Sequence, residues 1–380
     1  MLPYNESFVS VQWYPQSWMY DMRSYIGHLA ITQVFVLGSH NAASYGIHKK
    51  SQFGSDAPGL LGKHAKYASL LRFFLRRTSV KWAKCQNICI LEQLCGGVRY
   101  LDLRVTPNPK EGGKLCITHG RLSVPLGVVI EQIGTFLKDQ TSAQEFIVLD
   151  FQHFFDMESS TIQERFIEEI SVLSSYFIPV DVPLTTPLSV LWKSSDERRI
   201  FLLMGKSKIN YPFARIRADS LVSIWVNKKS LKGLLRALNI LLVNDLRQTC
   251  DYSVPPRLYV TQAVYTPRVS TVVGGVFSKE HDESASGLRK AASHVNSPLI
   301  EWFCALNAHS NLDGEVVTVP SGMNTHGNIL MLDHVDMGRC RVMGETRELD
   351  AVGMCIYLNM LRSSRLAINA PIYSLEKEGN

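Results

Sequence analysis

Two histidines and an arginine in the first third of this chain of 380 residues could carry out acid–base chemistry together. His40 lies in the segment Gly-Ser-His-Asn, His119 lies in Thr-His-Gly, and Arg104 lies between them in sequence. Imidazole has an unperturbed pKa of about 6.5, so near neutral pH one ring can accept a proton while another donates one. A guanidinium is well suited to hold a phosphoryl oxygen beside them. These residues predict an enzyme that cleaves a phosphodiester.

The segment around Arg104 alternates so that its charges share one side of a strand. Tyr100, Asp102 and Arg104 point to one face, and the apolar residues between them point to the other. A buried Asp and Arg must be paired or bound to something charged. An internal ion pair that only stabilises the fold is one interpretation. The histidines favour a catalytic one, because both follow apolar strands and so stand where βα loops form active sites.

Short apolar segments alternate with amphipathic helical segments along the chain. Strands are predicted at Ile31–Leu37, Val98–Val105, Leu115–Thr118, Phe146–Phe151, Arg199–Met204, Leu258–Gln262 and Asn328–Asp333. Helices are predicted at Val128–Lys138, Thr161–Leu173 and Ser230–Leu246. Helices that separate strands favour a parallel sheet, and seven or eight such units fit a closed or nearly closed (β/α) barrel. No linker rich in Gly, Pro or Ser divides the sequence into domains.

The composition is that of a packed enzyme, with 46% apolar and 19% charged residues. The net charge of +6 fits a mild preference for anionic surfaces such as membranes, without the dense clusters of a nucleic-acid binder. No apolar run approaches a membrane span, and the first twenty residues do not resemble a secretion signal. Eight cysteines without CxxC pairs are expected to be reduced thiols in a cytoplasmic protein, rather than a metal site at Cys85, Cys89 and Cys95.

Four segments, taken in order, resemble the X-box of phosphatidylinositol-specific phospholipase C. They are Gly38-Ser39-His40-Asn41, Gly97 to Arg104, His119-Gly120 and Glu145 to Phe151. The chain is similar in particular to the small X-domain-containing proteins, which lack the PH, EF-hand, Y-box and C2 parts of the large signalling enzymes. The resemblance runs from about Ile31 to Asp333 and is strongest over residues 31–155. Each motif alone is weak, and the ordered set is specific.

This resemblance implies a distorted, incompletely closed TIM-type barrel with its site at the C-terminal ends of the strands. The barrel is expected to form a single domain over residues 28–380. Residues 1–27 are expected to pack on it, mainly through Trp13, Tyr14, Trp18 and Tyr20. The implied activity is cleavage of an inositol phospholipid to diacylglycerol and a cyclic inositol phosphate, with no cofactor.

The resemblance also implies roles for the reactive residues. His40 would be the general base that takes the proton of the inositol 2-hydroxyl, and His119 the general acid that protonates the departing glycerol oxygen. Arg104 would stabilise charge on the non-bridging phosphoryl oxygens. Asp102 would orient or balance Arg104. Substrate contacts are implied for Asn41, Gln152 and Lys206.

The sequence offers three candidates for the carboxylate that holds the ring of His40. Asp333 ends a strand-like segment and is the best candidate, by the logic of a carboxylate–imidazole pair. Asp336 and Asp150 are alternatives.

The same resemblance bears on metal dependence. Calcium-dependent members place Asn after the first histidine and two carboxylates on the next strand. Asn41 matches that pattern, but Arg104 occupies the place of the second carboxylate, and a fixed cation there should repel calcium and take over its electrostatic role. We therefore expect no metal. Metal-independent relatives usually carry Asp where this chain has Asn41, so the loss of that negative charge is expected to change the tuning of Arg104.

A basic and aromatic segment from Gly62 to Lys84 follows the first histidine. Phe73, Phe74, Arg76 and Arg77 are predicted to contact an anionic membrane surface peripherally. The alternative is an ordinary helix packed on the barrel with a solvated basic face.

Two other functions remain open at this stage. One is a phosphodiesterase acting on another glycerophosphodiester or on a sphingolipid head group, and such relatives usually need a divalent cation. The other is a catalytically weak phosphoinositide-binding protein, for which Asn41 and the lack of accessory lipid-binding domains are the motivation.

Overall fold

A computed structural model of the chain describes residues 13–57, 79–248, 256–266, 287–308, 327–341 and 348–369. The strands are β1 (Val36–Ser39), β2 (Tyr100–Asn108), β3 (Lys114–Thr118), β4 (Leu122–Pro125), β5 (Ile147–Phe154), β6 (Ile200–Met204), β7 (Arg215–Ile216), β8 (Leu221–Ser223), β9 (Leu258–Gln262), β10 (Ile329–Leu332), β11 (Arg339–Arg341) and β12 (Glu348–Asp350). The α-helices are Trp18–Asp21, Arg23–Ile26, Ile90–Cys95, Leu126–Lys138, Ser160–Ser171, Leu188–Ser194, Arg217–Ser220, Leu231–Gln248, Leu288–Ala308 and Ala351–Asn369.

Eight parallel strands form the central sheet, in the order β7-β6-β5-β2-β1-β10-β9-β8. Read around the sheet from β1, these strands follow their order in the chain, which is the winding of a TIM-type barrel. β7 and β8 end the sheet without pairing to each other among the described residues, and only the helix Arg217–Ser220 separates them. The predicted incompletely closed barrel is confirmed.

The predicted strands agree with the observed ones where the segments are long. Leu115–Thr118 is a strand, but it forms an antiparallel hairpin with β4 beside β2 and is not one of the eight barrel strands. β1 begins at Val36 rather than Ile31, because residues 31–34 form a turn that the side chain of Asn328 closes by donating to two backbone carbonyls. β7 and β8 were not predicted, since two or three residues are too short to show an alternation.

Amphipathic helices cover the barrel, and their apolar faces pack on the sheet. In Leu126–Lys138 the predicted inner face, formed by Val129, Ile133, Phe136 and Leu137, is buried. Its observed boundaries lie within two residues of the prediction. Within the described residues, no helix combines the length and the apolar character needed to cross a membrane.

A buried ion pair ties the N-terminal segment to the barrel. Arg99 donates to Glu145 through Nε at 2.9 Å and Nη2 at 2.7 Å, and both side chains are fully buried. Arg99 also donates to the backbone carbonyls of Pro15 and Gln16, so the N-terminal segment completes its coordination. The ring of Trp18 is buried there and donates to a backbone carbonyl, whereas Tyr14, expected to pack, is exposed.

Candidate active site

His40 and Asp333 meet because β1 and β10 are parallel neighbours in register. His40 follows the last residue of β1 and Asp333 follows the last residue of β10. His40 Nδ1 lies 2.7 Å from Asp333 Oδ1. Burial opposes ionisation of Asp333, but the attraction and hydrogen bond of His40 together lower the pKa of this carboxyl below its usual value. An ionised Asp333 accepts the Nδ1 proton and leaves Nε2 of His40 as the basic nitrogen.

The competing carboxylates are held elsewhere. Asp150 accepts hydrogen bonds from Tyr100 at 2.7 Å and from Arg217 Nε at 2.8 Å, at the bottom of the charged face of β2. Burial raises the pKa of Asp150 to about 6, although Arg217 opposes this rise. Asp336 forms an exposed ion pair with Arg289. Among the three carboxylates considered from the sequence, Asp333 is the one placed on His40.

His119 stands opposite His40, in the turn between β3 and β4. The ring centroids are 5.9 Å apart with an interplanar angle of 69°. His119 Nδ1 lies 2.8 Å from the carbonyl oxygen of Ala83, to which it donates, so Nε2 is the nitrogen left for a substrate. Burial, the cation of Arg104 and the neighbouring His40 lower the pKa of His119 to about 4. The two imidazoles therefore lie side by side, with His40 against the carboxylate of Asp333 and His119 near the cation of Arg104.

Asp56 fixes the turn that carries His119. One carboxylate oxygen accepts from the hydroxyl of Thr118 at 2.5 Å, and the other accepts from the backbone N–H of Gly120 at 2.7 Å. The negative charge of Asp56 also acts to raise the pKa of His119 against the stronger lowering effects. Sequence reasoning did not find Asp56, which lies in a loop with no periodic pattern.

Arg104 and Asp102 project from β2 toward the two histidines. Asp102 is fully buried, its Oδ2 accepts from the backbone N–H of Asn41 at 3.0 Å, and the same oxygen lies 3.8 Å from a guanidinium nitrogen of Arg104. Within the described part of the chain, Arg104 Nε is buried without a hydrogen-bond partner. Because an unmatched buried donor is costly, this guanidinium is well suited to receive an anion.

Asn41 contacts the ring of His40 directly. Its backbone φ of 42° lies in the left-handed region, which Asn tolerates better than most residues. This conformation turns its Nδ2 to within 2.9 Å of His40 Nε2, where it donates a hydrogen bond. The basic nitrogen of His40 is thus capped by an amide donor that a substrate hydroxyl would have to replace.

A cleft of about 380 Å³ opens over these side chains. It is lined by His40, Trp82, Arg104, His119, Gln152, His153, Trp225, Gln262, Val264, Tyr265, Thr266, Leu288 and Asp333. Gln152 lines the cleft, and its contact with substrate stays a prediction. Lys206 is exposed and is not among the residues that line the cleft, so its contact with substrate stays a prediction. The predicted membrane contacts Phe73, Phe74, Arg76 and Arg77 lie outside the described residues.

The structure places three further residues at the site, none of which the sequence assigned to it. His153 and Gln262 lie at the ends of β5 and β9 and line the cleft, so their positions at strand ends were the available signal. Cys85 lies beneath it, with Sγ 3.5 Å from His119 Nδ1 and 3.6 Å from Asn41 Nδ2. Burial and the charge of Asp333 raise the pKa of Cys85 well above its ordinary value, so it is a protonated thiol.

The donors around Cys85 bear on metal binding. His40, Cys85 and Asp333 each offer one ligand atom, and these atoms lie within 4.8 Å of one another. A nitrogen, a sulfur and a single carboxylate do not resemble the all-oxygen shell that Ca²⁺ or Mg²⁺ prefers. His40 and Asp333 are moreover bonded to each other.

Comparison with known proteins places the chain among phospholipases C. It is 52% identical over 368 residues to the variant-surface-glycoprotein phospholipase C of Trypanosoma cruzi, covering 96% of this chain and 97% of that protein. The enzyme of the same name from Trypanosoma brucei brucei is 43% identical over 94% of this chain and 99% of its own length. The human PI-PLC X domain-containing protein 2 is 25% identical over 73% of this chain and 84% of its length. No protein-family model matches the chain.

Solved structures support the fold. The phosphatidylinositol-specific phospholipase C of Listeria monocytogenes superposes with a TM-score of 0.54 at 16% identity, covering 92% of this chain and 99% of that one. A mutant of the Staphylococcus aureus enzyme gives the same TM-score at 15% identity, covering 91% and 97%. At these identities the likeness concerns the barrel itself.

Proposed function

The chain belongs to the phosphatidylinositol-specific phospholipase C X-domain family, and from that premise we propose that it cleaves an inositol phospholipid by two-histidine acid–base catalysis without a metal ion. The observation that carries the proposal is the arrangement of His40 and His119 in one cleft beside Arg104. The family membership and the phospholipase C relatives support an enzyme of the phosphoric diester hydrolase class.

The proposed reaction begins at His40. Its Nε2 removes the proton of the inositol 2-hydroxyl, and that oxygen attacks phosphorus to form a new P–O bond within a cyclic phosphate. The bond from phosphorus to the glycerol oxygen breaks, and the leaving oxygen takes a proton from His119, giving diacylglycerol. Asp333 stabilises the imidazolium that forms on His40, at a separation of 2.7 Å.

Arg104 supplies the electrostatic part of the mechanism. Its guanidinium faces the cleft, and the carboxylate of Asp102, 3.8 Å from a guanidinium nitrogen, restrains its position. A phosphate bound to Arg104 brings a negative charge beside His119 and reverses the repulsion that lowers the pKa of that histidine. The substrate thereby helps to protonate its own general acid.

The proposal that no metal ion is needed rests on the chemistry of the possible ligand atoms near His40. The resemblance implies that Arg104 occupies the place of a carboxylate in calcium-dependent relatives, and the donors near His40 include a sulfur and a nitrogen. Hard cations prefer oxygen ligands throughout. Arg104 can perform the charge stabilisation that a metal would otherwise provide.

The substrate class implies a membrane partner. An inositol phospholipid lies in a bilayer, so we propose a peripheral association with an anionic membrane surface. The names of the two trypanosomal relatives specify a surface glycoprotein, and a lipid-bearing glycoprotein is the second candidate substrate. A cytoplasmic location is part of the proposal, supported by free thiols at all seven described cysteines.

Release of soluble inositol phosphate from phosphatidylinositol vesicles tests the proposal. His40→Ala and His119→Ala should each lower the rate by about 100- to 10,000-fold, the usual contribution of a positioned acid or base. The exposed histidine substitution His28→Ala serves as the matched control and should retain the wild-type rate. Equal release by all four proteins would exclude the mechanism. Loss of wild-type activity with EDTA would exclude metal independence alone.

A further inference from the structure

Two acidic side chains lie next to each other inside the barrel. Asp102 on β2 and Asp150 on β5 are register partners, and both are fully buried. The alternation of β2 places Tyr100 on the same face as Asp102. The hydroxyl of Tyr100 donates to Asp150 at 2.7 Å, so both carboxylates face the lumen of the barrel. Two buried carboxylates on neighbouring strands repel each other when ionised, and each therefore needs a cation.

Arg104 and Arg217 supply these two cations in different ways. Arg104 faces the cleft and lies 3.8 Å from a carboxylate oxygen of Asp102. Arg217 donates through Nε to both oxygens of Asp150, at 2.8 and 3.0 Å. The charged or titratable groups that face Asp150 are Arg217, Tyr100 and Asp102. Arg217 is thus the cation that holds Asp150, and Arg104 stays directed to the cleft.

Arg217 is the first residue of the short helix that occupies the gap in the barrel. The helix Arg217–Ser220 joins β7 to β8, and these two strands do not pair with each other within the described residues. β7 pairs with β6 over two residues, and β8 pairs with β9 over three. Because so few strand contacts hold the helix, its place depends on other interactions. The ion pair with Asp150 supplies one, since it joins the helix to β5, which lies beyond β6 in the sheet.

The strand that follows this helix carries one wall of the cleft. Ser223, the last residue of β8, accepts a hydrogen bond from Nε2 of Gln262 at 2.8 Å. Trp225 lies two residues beyond, and its Nε1 donates to the hydroxyl of Thr266 at 3.2 Å. Gln262, Trp225 and Thr266 all line the cleft, and we call them the β8–β9 wall. A displacement of the helix would move β8 and the side chains bonded to it.

We propose that Arg217 is a positioning residue for the β8–β9 wall, and that its ion pair with Asp150 sets the affinity of the cleft for the substrate head group. The inference rests on the proposed function and deepens it, because it separates the residues that set substrate affinity from the histidines that transfer protons. Burial raises the pKa of Asp150 to about 6, although Arg217 opposes this rise. Protonation of Asp150 in acid replaces the ion pair with a weaker contact, so substrate affinity should fall there.

Steady-state kinetics on a short-chain phosphatidylinositol that dissolves as monomers separate substrate binding from chemistry. At about pH 7.5, Arg217→Gln and Asp150→Asn should each raise KM by about fivefold or more and change kcat by less than about twofold. The double variant should raise KM no further than either single variant, because both substitutions remove one ion pair. The wild-type KM should rise as pH falls below about 6, and this rise should be smaller in Asp150→Asn. Arg217→Lys keeps the charge and should give an intermediate KM.

Glu145→Gln is the matched control, because it disrupts another buried ion pair, with Arg99, away from the cleft lining. This variant should lose stability and keep the wild-type KM. A wild-type KM in both Arg217→Gln and Asp150→Asn would overturn the proposal, and so would an equal rise in Glu145→Gln. The pH dependence of KM in the wild type needs no variant, so a substitution that prevents folding leaves the proposal open to refutation.

Amide hydrogen exchange tests the same positioning without turnover. In Arg217→Gln, amides of residues 217–225 should exchange about tenfold faster than in the wild type, and amides of β1 and β2 should keep their rates. Unchanged exchange over residues 217–225 would overturn the proposal. Faster exchange there with a wild-type KM would also overturn it, because the helix would then not act on substrate affinity. An inactive wild type whose variant still shows the local change in exchange would instead refute the proposed function alone.

Discussion

The rings of His40 and His119 lie 5.9 Å apart, and each is fixed through Nδ1 by a different kind of acceptor. His40 meets the carboxylate of Asp333, whereas His119 meets the neutral carbonyl of Ala83. A carboxylate stabilises a positively charged ring and a carbonyl does so much less, so the two rings stand in electrostatically different surroundings. In the proposed mechanism, this difference assigns the general base to His40 and the general acid to His119.

Asp333→Asn should lower kcat by about 100-fold or more, because the imidazolium of His40 then loses its counter-charge and its Nδ1 tautomer is no longer enforced. Steady-state release of inositol phosphate measures the effect. Asp336→Asn, which alters the exposed pair with Arg289, is the matched control and should leave kcat unchanged. A similar loss in both variants would contradict the pairing of His40 with Asp333.

Asp56→Asn should lower kcat by about tenfold, since an amide cannot accept from both Thr118 and Gly120. Removing the negative charge also lowers the pKa of His119 further, so the limb of the pH–rate profile that needs protonated His119 should move to lower pH. A merely structural role would leave that limb in place. Asp156→Asn is the matched control, because it removes the carboxylate that accepts from the hydroxyl of Ser55 near the same loop. This variant should leave the limb of the pH–rate profile in place.

The stability of the protein should fall as pH is lowered between about 6.5 and 4, in part because of His119. Burial lowers the pKa of this histidine to about 4 in the folded chain, so the unfolded chain binds its proton first as pH falls. The contribution is fully present above pH 6.5 and amounts to roughly 3 kcal/mol at most, lost progressively towards pH 4. Urea unfolding across this range should show a shallower loss for His119→Gln. An identical pH dependence in both proteins would refute the burial of a neutral His119.

Asn41→Asp should move the whole pH–rate profile upward by about one unit. The new carboxylate would stand beside His40 Nε2, where Asn41 now donates at 2.9 Å, and a negative charge at this point favours protonated imidazoles. The backbone conformation of Asn41 is open to Asp as well. Asn210→Asp, at an exposed site outside the cleft lining, controls for the introduced charge. A profile that keeps its position would mean that residue 41 does not tune the histidines.

Glu145→Gln should lower the free energy of unfolding by about 3–5 kcal/mol, because Arg99 would keep a buried charge without its partner. Urea denaturation measures the loss, and kcat below the unfolding transition should be retained since the pair lies away from the cleft lining. Glu348→Gln, which disrupts the exposed pair with Arg341, should leave the unfolding midpoint unchanged. A small effect at Glu145 would contradict the buried ion pair.

The sequence predicts the parts of the site that lie on regular strands. β2 is long enough for its alternation to place Asp102 and Arg104 on one face, and the resemblance supplies the order of the two histidines. Long helices with apolar faces made the barrel recognisable. These features depend on local periodicity, which a single sequence records.

Features that depend on long-range register or on loops were not predictable in the same way. The choice of Asp333 over Asp150 follows from the pairing of β1 with β10, which no local pattern encodes. Lys206 follows a strand as a cleft residue should, but its direction beyond the strand end depends on the loop. Asp56 and Cys85 reach His119 through irregular segments.

The adjacency of the first and eighth barrel strands has a consequence for synthesis. His40 is made before Asp333, and 293 positions of the chain separate the two residues, so β10 and the carboxylate that faces the imidazole emerge from the ribosome long after β1. A nascent chain that still lacks β10 therefore has no Asp333 carboxylate at His40 Nδ1, and the pairing of β1 with β10 brings the two side chains together. Premature termination before Asp333 should accordingly yield a protein without a competent proton acceptor.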